Sequence, residues 1–312
     1  MMRVLILGAG AVGGYFGGRL VEAGADVTFF VREARSRFLA ERGLRIESPL
    51  GDMNLAAKAV FDPKALTAFD LVILTCKAYG LDESLETIAG AVAPGTGVLP
   101  LLNGFAHLDR IEARFPEAKV FGGVAQISAT LAEDGVVRHF GERNRLIFGV
   151  RDGGPDERLA ALEAIYARTS VAATFVDDIE RRLWDKFVLL ATLAGITSMM
   201  RASVGDILAT PSGERLIRLL LAECESVARA QSWTPSPELP ELLSILFVRG
   251  SALKASMLRD IERGGRTEGE HILGDMLARA RRARLETPVL EIAATHLRAY
   301  EASRASGGTN FA

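Results

Sequence analysis

Cysteine is scarce in this chain of 312 residues: only Cys76 and Cys224 occur, far apart and without C-x-x-C spacing. That excludes a disulfide scaffold and a Cys-rich zinc site, and it suits a reducing compartment. An excess of either charge is also missing, with 37 Lys and Arg against 39 Asp and Glu and a net charge of -2. Proteins that grip nucleic acid through its phosphates carry a clear basic excess, so nucleic acid is not an expected partner. The run Arg279-Ala280-Arg281-Arg282-Ala283-Arg284 is balanced by Glu268, Glu270, Asp275 and Glu286, which reads as a solvated helix face. No clean membrane span is present. Thr87 to Leu108 is free of charge but holds Pro94, Pro100, Asn103 and several glycines, and Phe187 to Met200 is apolar but too short to cross a bilayer. After Met1-Met2-Arg3 the apolar run stops at Gly8, so no secretory signal is expected and the chain reads as cytoplasmic, with no membrane partner. The four histidines, His107, His139, His271 and His296, are scattered, and Glu268-Gly269-Glu270-His271 is a single E-x-x-H without a second, so no metal site is expected. Neither a G-x-S-x-G elbow nor a Walker A loop appears.

What is present is an ordinary globular composition, 49% apolar and 24% charged, in a chain long enough for two domains. The first half alternates short apolar runs with stretches of helical length. Val4 to Leu7, Val27 to Val31, Leu71 to Cys76 and Val98 to Leu102 read as buried strands. Ala11 to Ala23, Glu33 to Arg42 and Leu81 to Val92 read as the helices between them. Strands apolar on both faces belong to a parallel sheet covered by helices, so the fold class is α/β and doubly wound. Val136 to His139, Leu146 to Val150 and Val171 to Val176 are expected to extend that sheet. Beyond Asp177 the pattern becomes helical: Ile179 to Met200, Gly213 to Gln231, Leu239 to Arg263, Thr267 to Arg284 and Val289 to Ala302. The expected organisation is a Rossmann-type dinucleotide-binding domain over residues 1–177 and an all-helical domain over 178–312. Ser306-Gly307-Gly308 reads as a loose terminus.

Gly8-Ala9-Gly10-Ala11-Val12-Gly13 matches G-x-G-x-x-G, with a buried strand before it and a helix after it. In that context Gly8 allows the tight turn, Gly10 admits the pyrophosphate, and Gly13 lets helix and strand pack closely. The phosphates would rest on the free N–H groups of the helix N-terminus. The end of the second strand selects the dinucleotide, since an acid there bonds a ribose 2′-hydroxyl and a cation suits a 2′-phosphate. Here the strand ends in Arg32, with Arg35 one turn on, which points to NADP(H). Glu33 beside it keeps NAD as the minority reading.

Three further residues carry chemistry. Lys186 begins the apolar stretch Phe187 to Leu190, and Leu190 and Ala194 share its helix face. Desolvation there lowers a lysine pKa toward the working range of a general acid, and a cation stabilises a forming alkoxide. A lysine snorkelling from the buried end of a helix is the alternative. Lys77 follows a buried strand at the end where parallel sheets bind ligands, although a solvated strand-end lysine is equally common there. Asn103-Gly104 sits in the same place on another strand, as a turn that can still present an amide.

The chain resembles the 2-dehydropantoate 2-reductase (ketopantoate reductase) family over nearly its full length. The matching segments are Gly8–Gly13, Arg32, Thr75-Cys76-Lys77-Ala78, Leu102-Asn103-Gly104, Leu183-Trp184-Asp185-Lys186, Ser256-Met257-Leu258-Arg259-Asp260 and Thr267-Glu268. The resemblance implies NADPH-dependent reduction of ketopantoate to pantoate, a step toward pantothenate and coenzyme A. By position, Lys186 would be the proton donor and Asn103 a contact to cofactor and substrate. Lys77, Ala129 and Glu268 would match cofactor-side positions, and Ser256 a substrate-side one. The departures lie around the substrate: Leu190, Ala194, Val204 and Leu253 stand where better-known members carry asparagine.

The expected function is therefore NADPH-dependent reduction of a 2-oxo acid, with 2-dehydropantoate to (R)-pantoate first among candidates. Reduction of a more apolar 2-oxo acid is the alternative, since Leu190 and Ala194 cannot replace amide hydrogen bonds. Two other classes compete: a non-catalytic NADP(H) sensor on the same fold, and a structural protein. Retention of Lys186, Asn103 and Glu268 favours the enzyme, because a sensor needs only the dinucleotide site. Helical second domains of this length can pack against each other, so a homodimer is the macromolecular partner considered.

Overall fold

The computed structural model describes residues 2–307. Among the described residues ten strands form: β1 (Arg3–Leu7), β2 (Asp26–Phe30), β3 (Leu44–Glu47), β4 (Met53–Leu55), β5 (Lys58–Val60), β6 (Leu71–Leu74), β7 (Gly97–Pro100), β8 (Lys119–Leu131), β9 (Val137–Val150) and β10 (Ala172–Phe175). Five helices accompany them: α1 (Ala11–Glu22), α2 (Glu33–Arg42), α3 (Leu81–Thr87), α4 (Ala106–Arg114) and α5 (Glu157–Tyr166). The remaining helices are α6 (Ile179–Met200), α7 (Val204–Leu208), α8 (Gly213–Ala230), α9 (Leu239–Ser244), α10 (Ser256–Glu262), α11 (Asp275–Arg282) and α12 (Pro288–Ala305). The residues group into two compact units. The first holds the chain up to Leu102 together with His107–Glu180; the second holds Asn103–Ala106 and everything described from Arg181 onward.

In the first unit the strand order is β4-β3-β9-β8-β7-β6-β1-β2-β5, with β10 beside β9. The pairs from β5 through β2, β1 and β6 to β7 are all parallel, and β1 and β6 are buried almost throughout, as their unbroken apolar sequences require. The chain leaves β1 toward β2 and later returns on the other side through β6. That reversal makes the carboxyl end of β1 a switch point, where open α/β sheets bind ligands. The core here joins Val4 and Ile6, Tyr15 and Phe16 of α1, Phe29, and Phe121 and Phe148 of the later strands.

Several expectations are corrected. Val136 to His139 and Leu146 to Val150 fall at the two ends of one long strand, β9, whose ends pair with the long β8 while its exposed middle does not. A register shift between Ile127 and Ala129 lets that hairpin bend. The helical pattern from Leu81 to Val92 ends at Thr87, followed by a short 3-10 turn at Ala89–Ala91. Leu239 to Arg263 is not one helix. It is α9, a 3-10 turn at Ile245–Phe247, an irregular segment and α10. Likewise Thr267 to Arg284 becomes a π-helical stretch, Glu270–Gly274, running into α11. The loose terminus expected at 306–308 lies partly outside the described residues, which stop after a turn at Ser306 and Gly307.

The described residues of the second unit form helices joined by turns and irregular segments, with no strand among them. Its α6 is long and apolar enough to cross a membrane, but 78% of its most apolar window is buried within the protein, which marks a core helix. Asp185 on α6 is 3% exposed and accepts hydrogen bonds from the Trp233 indole at 3.0 Å and the Ser236 amide at 3.4 Å. Burial raises its pKa, and the donors from 233 and 236 oppose that rise. Asp185 thus ties a proline-rich connection to α6.

Candidate active site

In the first unit the glycine loop follows β1 and opens α1. Gly13 has no room for a side chain: a Cβ there would collide with the Gly8 carbonyl and the Thr75 hydroxyl. Thr75, at the end of β6, donates to the Leu7 carbonyl at 2.7 Å and so joins the two central strands beneath the loop. Gly10, by contrast, caps α1 with no side-chain bond, and a Cβ on it would meet no protein atom within 4 Å. Free helix N–H groups facing open space suit the pyrophosphate of a dinucleotide.

A cavity of about 460 Å³ opens at the end of β1 and β2, lined among others by Gly8, Arg32, Phe61, Lys77, Tyr79 and Glu83. It brings the two expected cations, Arg32 and Lys77, to one space. Phe61 and Tyr79 are 46% and 45% exposed there, offering aromatic surface that the sequence reading did not single out. Arg35 does not join Arg32. Its guanidinium donates to the Ala9 carbonyl at 3.1 Å and the Gly135 carbonyl at 2.9 Å, and stacks on Phe38. It therefore braces the glycine loop from behind. Glu33 pairs along α2 with Arg37 at 2.6 Å and does not line the cavity. Ala129 lies in β8 opposite His139 and lines neither this cavity nor the one below.

In the second unit Lys186 sits on α6 between buried Asp185 and Phe187. Burial pushes its pKa down to about 8, and the negative charge of Glu268 resists that fall. Glu268 is 7% exposed and stands just ahead of the π-helical stretch. A small cavity of about 90 Å³ is lined by Asn103, Leu190, Ala194, Lys254, Ser256 and Glu268, with Asp260 beside them. Of the substrate-side residues expected from the sequence, Asn103, Leu190, Ala194 and Ser256 line it; Lys186, one turn before Leu190, is not among the lining residues. Lys254 is an addition that nothing in spacing marks, and Asp260 closes the segment from Ser256 named above, where it had no assigned role.

Asn103 reaches this place because its short segment packs with the helices. Phe105 lies 4.6 Å from Trp184 and 5.6 Å from Phe187, ring centre to ring centre, so it grips α6 on both sides of Lys186. Arg279 covers Phe105 and Trp184 and is held by Asp275 at 3.0 Å. Gly104 takes φ +84°, and a Cβ there would press on His271 at 3.3 Å, so glycine lets the loop lie against the π-helical stretch.

Comparison with known proteins decides the family. Residues 4–153 match the family described as Ketopantoate reductase PanE/ApbA, and residues 178–301 match Ketopantoate reductase PanE/ApbA C terminal. The chain belongs to the ketopantoate reductase family. It is 35% identical over 309 residues to Uncharacterized oxidoreductase YkpB of Bacillus subtilis, covering 97% of this chain and 100% of that protein. It is 28% identical over 299 residues to a 2-dehydropantoate 2-reductase of Halobacterium salinarum, covering 95% and 98%. Among solved structures, the PanE/ApbA family ketopantoate reductase from Ralstonia eutropha superposes with a TM-score of 0.88 at 27% identity, covering 97% and 100%. As a ketopantoate reductase family member the chain is an oxidoreductase, and its Rossmann-type first unit fits a nicotinamide dinucleotide. Arg32, Lys77 and the loop from Gly8 to Gly13 would hold that dinucleotide.

Proposed function

We propose that this protein reduces a 2-oxo acid to the 2-hydroxy acid with NADPH, the physiological pair being 2-dehydropantoate and (R)-pantoate. NADPH, when bound, supplies the hydride for the carbonyl carbon. The chain must then deliver a proton to the carbonyl oxygen, and Lys186 is the donor. An ammonium with a pKa near 8 is protonated at neutral pH yet gives up its proton readily, and water restores it after turnover. Until transfer is complete, the same charge stabilises the developing alkoxide. Asn103 and Ser256, on the cavity wall, orient the substrate by hydrogen bonding.

The observation that carries the reading is the placement of Lys186, flanked on α6 by buried Asp185 and Phe187 and one turn before the cavity-lining Leu190, with the charge of Glu268 acting on it. Keeping an ammonium charged where its pKa is depressed costs stability at neutral pH, a cost a dinucleotide sensor would have no reason to bear. Preference for the phosphorylated dinucleotide is supported by Arg32 on the cavity wall and by Glu33 being engaged with Arg37. A cytoplasmic setting fits a chain whose two cysteines are not bridged.

A second reading concerns the substrate alone. Leu190 and Ala194 both line the cavity, which favours a 2-oxo acid with a more apolar side group. The test is NADPH consumption by purified protein across a panel of 2-oxo acids, ketopantoate included. Preference for ketopantoate supports the first reading and preference for an apolar acid the second. Tight NADPH binding with no turnover of any acid would leave the sensor.

A further inference from the structure

With Leu190 and Ala194 apolar, a 2-oxo acid needs another partner for its carboxylate. The cavity wall in the second unit offers Asn103 and Ser256, which are neutral, and Asp260 and Glu268, which repel an anion. Among the described residues lining it, Lys254 alone carries positive charge. Its backbone is held on both sides. The Leu253 carbonyl accepts from the Val204 amide at 2.9 Å, and the Ser251 carbonyl accepts from the Gly205 amide at 2.8 Å. The Ala255 amide donates to the Thr197 hydroxyl of α6 at 3.4 Å. This strap between α9 and α10 is therefore fixed to α6 and α7 by its main chain, independently of what the Lys254 side chain does.

The ammonium of Lys254 donates to Glu262 at 2.6 Å, and both side chains are more than a third exposed or close to it, at 35% and 39%. Such a pair adds little stability. It does orient the head group. An ammonium has three donors, so one bond to Glu262 leaves two for a further acceptor.

We propose that Lys254 binds the carboxylate of the 2-oxo acid and selects acids over uncharged carbonyl compounds, an inference that rests on the reductase reading above. Glu262 aims the ammonium, and the strap sets its distance from Ser256 and Asn103. Because the contact is the same in bound substrate and in the reacting complex, it governs KM more than kcat.

The experiment measures NADPH-dependent kinetics of the native enzyme, Lys254→Met, Lys254→Gln and Lys254→Arg on the best 2-oxo acid and on its methyl ester. Thermal unfolding of each variant is followed in parallel. Loss of one charge-assisted contact predicts a KM for the acid raised about 10- to 100-fold in Lys254→Met and Lys254→Gln, with kcat nearly kept. The ester should change little in those variants, and Lys254→Arg should retain most of the discrimination. An unchanged KM for the acid, or equal losses for acid and ester in both neutral variants, overturns the proposal while leaving the reductase reading intact. Native enzyme that reduces no 2-oxo acid at all overturns that reading, and this inference with it.

Discussion

One carboxylate oxygen of Glu301 accepts both the amide of Thr267, at 2.6 Å, and its hydroxyl, at 2.8 Å. The hydroxyl in turn accepts from the Gly269 amide at 3.3 Å, so the residue between them, Glu268, leaves a turn that α12 has clamped. Glu268 is the charge that opposes the effect of burial on Lys186. The charge that acts on Lys186 is thus held in place from a helix far along the chain.

That relationship predicts the behaviour of Glu268→Gln. Removing the negative charge leaves desolvation unopposed, so the Lys186 pKa should fall below its value near 8. The lysine would then lose its proton at lower pH, and the alkaline fall of kcat should shift toward neutrality. Measuring kcat against pH for both proteins checks this. A lowered plateau with the limb unmoved would give Glu268 a purely structural role.

Arg32→Ala should weaken NADPH far more than NADH, because only NADPH carries the 2′-phosphate that Arg32 is proposed to meet. A charge-assisted contact of this kind is worth roughly 1.5–3 kcal/mol, or about 10- to 100-fold in affinity. Fluorescence titration with each dinucleotide separates the two. Equal weakening would assign the phosphate to another group, with Lys77 the first to test.

Substituting Leu190→Asn together with Ala194→Asn places amides on the cavity wall. If ketopantoate is the substrate class but is poorly held, kcat/KM for it should rise, and for apolar acids it should fall. Steady-state kinetics on both substrates decide between these trends. A fall for ketopantoate would mean that the apolar wall is already matched to the native substrate.

Much of this was legible from residue patterns, and the failures have local causes. The unbroken apolar runs of β1 and β6 and the glycine loop between β1 and α1 announced the parallel core. The long β8 did not, because Gly122, Gly123 and a stretch of half-exposed residues dilute its pattern. The middle of β9, Phe140 to Arg143, is exposed and lies at the register shift, without a partner on β8, so its sequence carries no strand period. Strands as short as β4 and β5 offer too few residues for any period to register. The strap that carries Lys254 looked helical because its apolar spacing is helical. Its carbonyls at Ser251 and Leu253 are instead taken by Gly205 and Val204, a tertiary choice that spacing cannot reveal. Arg35, one turn after Arg32, adds to the cationic pattern in the sequence, whereas its guanidinium is taken up by the Ala9 and Gly135 carbonyls.

The role of Lys186 is tested most directly by kcat as a function of pH, in the native protein and in Lys186→Ala, with NADPH and the preferred 2-oxo acid. The native profile should be level near neutrality and fall as the pH passes about 8, where Lys186 gives up its proton. Lys186→Ala should lower kcat on the order of 10²–10⁴-fold and abolish that limb, with NADPH affinity little changed. A variant that keeps the native rate, or a native profile with no fall near that pH, would contradict Lys186 as the proton donor.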